Sequence, residues 1–172
     1  MAGQESGFRI YRGKLPHWRM QGATYFVTWR IKPGIPDLDP RERQVVSTAL
    51  AKFHGTKYRL HAYVVMNDHV HILLTPSLDL TLERIVRAWK SYTSRVLKES
   101  RGSDGLWQRE YFDRIIRNHG EFMEKGEYIL HNPWKRWPEL KEYPWMGVET
   151  GDAAGGSGDP PPLSSVPPLI HP

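Results

Sequence analysis

The sequence predicts an α+β domain: a ferredoxin-like β-α-β-β-α-β sandwich with an antiparallel four-stranded sheet, followed by one further helix. Three observations carry that expectation. Residues 23–31, 57–65, 69–75 and 111–117 are rich in β-branched and aromatic side chains and read as strands. Two intervening segments repeat apolar residues at three-and-four spacing between helix start and stop signals. The order in which strands and helices alternate is that of the split βαβ motif, in which the first and third strands are central neighbours and both helices share one sheet face.

The first strand is closed by Pro33-Gly34-Ile35-Pro36. Asp39 can cap the first helix, with Pro40 at its first position and Glu42 completing a capping box. Val45, Val46, Ala49, Leu50 and Phe53 form the apolar face of this helix, and Gly55 stops it. The second and third strands flank Met66-Asn67-Asp68, a short hairpin turn. Within residues 76–100, Leu82, Ile85, Trp89, Tyr92 and Val96 should face the core. Arg84, Arg87 and Arg95 make a basic stripe beside them, which suits a solvated face as well as a polyanion. Asn118 and Glu121 offer a capping box for the last helix, and Pro133 ends it. Residues 1–7 form a flexible N-terminus, residues 8–146 the domain, and residues 147–172 a disordered Gly/Pro-rich tail.

The chain has 172 residues and a net charge of +5, with seven tryptophans and eight tyrosines. Excess basic charge beside aromatics suits nucleic acid ahead of membrane, and is equally compatible with an ordinary basic protein. No apolar run is long enough to span a bilayer, and the N-terminus lacks a signal-peptide core. With no cysteine, disulfides and thiolate metal sites are excluded, so a metal would need nitrogen and oxygen ligands. These features fit a cytoplasmic protein.

Two histidines, His69 and His71, stand two apart in the apolar third strand, so they share one face while Val70, Ile72 and Leu74 share the other. Alone, such a pair fits packing at a sheet surface as well as metal binding. Its hydrophobic setting favours coordination, which keeps both rings neutral. Tyr128 and Asn132 are four apart on the last helix and therefore on one of its faces. If that helix covers the histidine face, a phenol and an amide oxygen approach the two imidazoles. Such a set, with open positions, suits Mg2+ or Mn2+ bound together with a phosphate substrate. Arg12, Lys14, His17, Trp18 and Arg19 mix cations with aromatics and could grip phosphates and stack on unpaired bases.

These residues carry a family resemblance. His69-Val70-His71 resembles the HUH motif of single-tyrosine transposases, the IS200-like superfamily, and Tyr128-Ile129-Leu130-His131-Asn132-Pro133 resembles their Tyr-Ile-x-x-Asn-Pro helix. Leu15-Pro16-His17-Trp18, Tyr25-Phe26-Val27-Thr28-Trp29-Arg30, Trp107-Gln108 and Asp113-Arg114-Ile115-Ile116-Arg117-Asn118 look like the REP-associated branch, over about residues 8–137. The resemblance implies metal-dependent cleavage and transfer of single-stranded DNA through a 5′-phosphotyrosine, as in DNA transposition. It implies Tyr128 as nucleophile, His69 and His71 as metal ligands, and Asn132 as the third ligand. It also implies palindromic hairpin repeats as substrate, and a monomer or a homodimer with swapped sites. The competing readings are a non-catalytic hairpin-binding module on the same sheet, and an HUH replication initiator or relaxase.

Overall fold

A computed structural model describes residues 9–12, 16–102 and 105–149. A short antiparallel hairpin, β1 (Arg9–Arg12) and β2 (Pro16–Arg19), precedes the domain. Then follow β3 (Tyr25–Arg30), α1 (Pro40–Ala51), β4 (Tyr58–Val65), β5 (His69–Pro76), α2 (Leu82–Arg101), β6 (Phe112–Ile115), α3 (His119–Arg136) and β7 (Met146–Val148). The main sheet has the order β6-β3-β5-β4-β7 and is antiparallel throughout. The predicted ferredoxin-like topology is present, with β3 and β5 at the centre. The sheet has five strands rather than four.

The alternation of β3 and β5 divides the interior in two. Val27, Trp29, Val70, Ile72 and Leu74 point to α1 and α2, where they meet Val46, Leu50, Leu82, Ile85, Val86, Trp89 and Leu97. Trp29 stacks on Trp89 at 5.9 Å and meets Trp107 edge-on at 6.0 Å. Phe26, Ala62, Val64 and Leu73 point the other way, to Phe122 and Ile129 of α3. The second face is only partly roofed, because α3 packs over β4 and β5.

Both early helices start as their residues require. Glu42 N–H donates to Asp39 Oδ1 and Asp39 N–H to Glu42 Oε2, each at 2.9 Å, which satisfies two N-terminal amides of α1. Arg101 at the end of α2 donates to Glu42 and to the carbonyls of Pro36 and Asp37, tying the two helices together. Thr81 caps α2, and Gly102 closes it with φ 62, a left-handed conformation that glycine adopts without penalty.

Four expectations need correction. Phe53 lies past the end of α1 and is exposed, because the helix stops at Ala51. Tyr92 and Val96 are exposed as well, since the buried line of α2 drifts through Trp89, Thr93 and Leu97. Thr93 can be buried because its hydroxyl donates to Trp89 O at 2.7 Å and accepts from Trp107 Nε1 at 2.8 Å. The capping box at α3 is half made: Asn118 accepts from Glu121 N–H, but the Glu121 carboxylate takes Arg117 N–H and Arg114 instead. Pro133 sits inside α3, which continues to Arg136 with Trp137 N–H donating to Pro133 O.

The domain also crosses the expected boundary after residue 146. β7 pairs with β4, and Glu149 beyond it binds Arg59 Nε and His61 Nδ1 at 2.7 and 3.0 Å. Gly147 lies against the Tyr63 ring so closely that a Cβ would come within 2.5 Å of it, and that ring is held by a 3.0 Å bond from its hydroxyl to Ser47. The glycine therefore belongs to the sheet rather than to a tail. Residues 1–7 and 150–172 lie outside the described residues.

Candidate active site

Three elements bring the predicted site together. The β5 register sets His71 opposite Thr28 and His69 opposite Arg30 on β3, so all four side chains leave the sheet on the α3 side. The hairpin turn holds the start of β5 through Met66 N–H donating to His69 O at 2.8 Å. On α3, Ile129 is driven into the core and is fully buried, which aims the adjoining face of the helix at the histidines. That face carries Tyr128 and, one turn on, Asn132.

The geometry is close. The rings of His69 and His71 lie 4.6 Å apart, and the Tyr128 ring is 5.1 Å from His71. Phe26 stacks on His71 at 5.5 Å and meets Tyr128 edge-on at 6.0 Å, so it fixes the position of both. Asn132 lies near the His69 ring and weakly favours its protonated form. His69, His71 and Asn132 are buried, whereas Tyr128 is 37% exposed and can reach a polymer outside. Lys135 Nζ lies 4.6 Å from the centre of the Tyr128 ring and puts positive charge beside the phenol.

Each histidine is anchored through Nδ1. His69 Nδ1 is 2.6 Å from Asp68 Oδ1, and a carboxylate only accepts, so Nδ1 carries the hydrogen and Nε2 the lone pair. His71 Nδ1 is 2.6 Å from Thr28 Oγ1, a hydroxyl that serves either tautomer and accepts when Nδ1 carries the hydrogen. Burial is the main force that lowers the pKa of His71, to about 3, with His69 and Arg30 adding to it. Burial also lowers His69, against the opposing pull of the Asp68 carboxylate. Asp68 itself is raised by burial but lowered more by its bond to His69 and by Arg30 and Arg136, and its net shift is downward. Both imidazoles are thus neutral at physiological pH, the form that binds metal.

This donor set fits a small divalent cation. Among the described residues no group of three or more His, Cys, Asp or Glu side chains gathers at one point. The residues that could hold such an ion are His69 and His71 with the Asn132 amide, and two imidazoles with one amide oxygen would leave positions for substrate oxygen. Asp68 and Thr28 are the outer partners that such ligands ordinarily need.

The predicted DNA-contacting residues are not gathered here. Arg84, Arg87 and Arg95 are exposed on α2, across the sheet from the histidines. Lys14 lies outside the described residues, as do the side chains of Arg12, His17, Trp18 and Arg19; the backbone of β2 runs beside β6. Sequence reasoning missed Asp68, Thr28, Phe26 and Lys135. Adjacency to His69 was a signal for Asp68, whereas Thr28 becomes visible only once the strand register is known.

Comparison with known proteins gives a consistent result. The family described as Transposase IS200 like matches residues 26–132, a span from Phe26 to Asn132. A REP-associated tyrosine transposase from Escherichia coli (strain K12) is 23% identical over 140 residues, covering 79% of this chain and 82% of the relative. The solved structure of a REP-associated tyrosine transposase bound to a REP hairpin superposes with a TM-score of 0.64 at 22% identity, covering 86% of this chain and 94% of that one. No helix among the described residues is long and apolar enough to cross a membrane.

Proposed function

Because this chain belongs to the IS200-like transposase family, we propose that it cleaves and rejoins single-stranded DNA with Tyr128 as the nucleophile and a divalent metal held by His69, His71 and Asn132. The observation that carries the proposal is the placement of the exposed Tyr128 ring on α3, 5.1 Å from His71, whose ring is 4.6 Å from that of His69.

Tyr128 Oη attacks the phosphorus of a phosphodiester. The bond from phosphorus to the 3′-oxygen breaks, the 5′-phosphate stays on Tyr128, and the phenolic proton is balanced by the one gained at the leaving 3′-hydroxyl. Attack by another 3′-hydroxyl on the phosphotyrosine reverses the step and joins new strands, so no nucleotide cofactor is consumed. A bound Mg2+ or Mn2+ supplies charge neutralisation at the phosphate oxygens and favours the phenolate. The chain's own part is positional. Asp68 holds the His69 tautomer, Thr28 anchors the His71 ring, Phe26 sets the distance from His71 to Tyr128, and Lys135 draws the anionic strand toward the phenol.

The hairpin substrate is carried over from the relative solved with a REP hairpin. Arg84, Arg87 and Arg95 lie across the sheet, so any grip they supply falls on DNA away from the reacting phosphate. Arg12, Lys14, His17, Trp18 and Arg19 are the other candidates for contact with the strand, and of these His17, Trp18 and Arg19 belong to β2, whose backbone runs beside β6. The test is a denaturing gel of protein with a flanked DNA hairpin and Mg2+ or Mn2+. The wild type should leave a covalent adduct that is absent in EDTA and in Tyr128→Phe, while the variant still binds the hairpin. An adduct that persists in Tyr128→Phe would refute the nucleophile.

A further inference from the structure

Beyond the ligands and the nucleophile, the α3 side of the sheet carries a group the chemistry has not used. α3 roofs β4 and β5, and β6 lies at the edge of the same face, beyond β3. On it stands Phe112, 49% exposed. Phe112 pairs with Thr28, whose hydroxyl contacts His71, so its side chain leaves the sheet on the site's own face. Its ring meets Phe26 edge-on at 6.5 Å, and Phe26 in turn meets Tyr128 at 6.0 Å. Phe112 and Tyr128 are therefore two exposed rings on either side of one buried ring.

The surroundings suit an anionic strand. Arg30 is opposite His69, Arg114 is opposite Phe26 on the same face as Phe112, and Lys125 Nζ is 5.7 Å from the Phe26 ring. These cations are partnered by Asp68, Glu121 and Glu124, while Lys135 stands over Tyr128. An exposed aromatic next to a phenol that would attack a phosphate, with cations beside it whose ion pairs a phosphate oxygen can exchange into, supplies the elements of a single-strand stacking site. A protein partner would find paired charges around a single ring, too small an apolar area for a stable interface.

We propose that Phe112 is the stacking platform for an unpaired nucleobase flanking the scissile phosphate, and so sets where along the strand Tyr128 cuts. The proposal rests on the strand-transfer function above. Its occupant is single-stranded DNA, and because every base has a π-face, the contact fixes position more than sequence.

The test reads binding rather than cleavage. A fluorescein-labelled DNA hairpin with single-stranded flanks is titrated by anisotropy in EDTA against wild type, Phe112→Ala and Phe112→Trp. A parallel series of probes carries one abasic nucleotide at successive flank positions. Phe112→Ala should bind the intact probe about 5- to 150-fold more weakly, and Phe112→Trp should bind it as well as wild type. One abasic position should cost the wild type a similar factor and cost Phe112→Ala nothing more. Equal binding by Phe112→Ala and wild type would overturn the proposal. So would a loss in Phe112→Ala that simply adds to that of every abasic position. A wild type that binds the flanked hairpin with this signature but never forms a covalent adduct would sink the strand-transfer reading and leave the platform standing.

Discussion

β5 sends Val70, Ile72 and Leu74 to one side of the sheet and His69, His71 and Leu73 to the other, and the two sides are built differently. Under α1 and α2 the strand meets tryptophans and aliphatics that close around it, with Trp29, Trp89 and Trp107 in mutual contact. Under α3 it meets a roof that stops halfway, with Tyr128 and Phe112 left exposed at its margin. Both faces bury their β5 residues, yet only one offers a polymer a way in. The histidines are neutral because they are buried, and the burial ends one ring away at the exposed Tyr128. The difference teaches that the packed face supplies the rigidity against which the open face can hold groups in register.

The strongest way to break that division is to substitute adjacent residues of β5 that face opposite ways. Ile72→Ala should destabilise the fold by about 2–5 kcal/mol in chemical denaturation, with strand cleavage per folded molecule retained at low temperature. His71→Ala should abolish metal-dependent cleavage at a temperature where the protein remains folded. If Ile72→Ala lost cleavage while keeping its stability, the assignment of roles to faces would be wrong.

A smaller effect should come from the partner behind His69. Asp68→Asn keeps the shape of the side chain but lets an amide face Nδ1, so the tautomer is no longer imposed. Metal affinity, read by the Mn2+ concentration for half-maximal cleavage, should weaken about 10- to 100-fold. Thermal stability at neutral pH should change little by comparison.

Acid should act on the open face before the packed one. His71 titrates at about 3 in the folded chain and His69 is also lowered, so the unfolded chain takes up protons that the folded chain refuses. Stability in the presence of chelator should be at its plateau above about pH 6.5 and fall as pH drops toward 3. The slope should be up to about 1.4 kcal/mol per pH unit for each histidine. Below its ordinary range Asp68 adds loss in the same direction. Urea titrations across this window check it, and His71→Gln should shallow the slope.

Much of this was legible in the residues. Alternation put both histidines on one face and the valine and isoleucine on the other, and i to i+4 spacing put Tyr128 above Asn132. What could not be read was set by tertiary contact. Thr93 looks polar and is buried because two partners satisfy its hydroxyl, and this displaced Tyr92 and Val96 to the surface. β7 is three residues long and begins where the composition turns to glycine, so only its pairing with β4 and the anchor from Glu149 to Arg59 and His61 reveal it. Pro133 reads as a stop, yet the helix runs one turn further, and Lys135 over the Tyr128 ring comes from that extra turn. Phe112 is one aromatic in a strand until the register sets it beside Thr28.

On the proposed function, the α3 side of the sheet holds two histidines for a metal, and the phenol beside them makes the covalent bond. Trypsin digestion of the gel-purified adduct, followed by mass spectrometry, tests it most directly. Cleavage after Lys125 and Lys135 yields the peptide 126–135, in which Tyr128 is the sole tyrosine. This peptide should carry the 5′-phosphate of the cleaved strand, and only when Mg2+ or Mn2+ was supplied. DNA on any other peptide, such as the one containing Tyr63, or an adduct formed equally in EDTA, would contradict it.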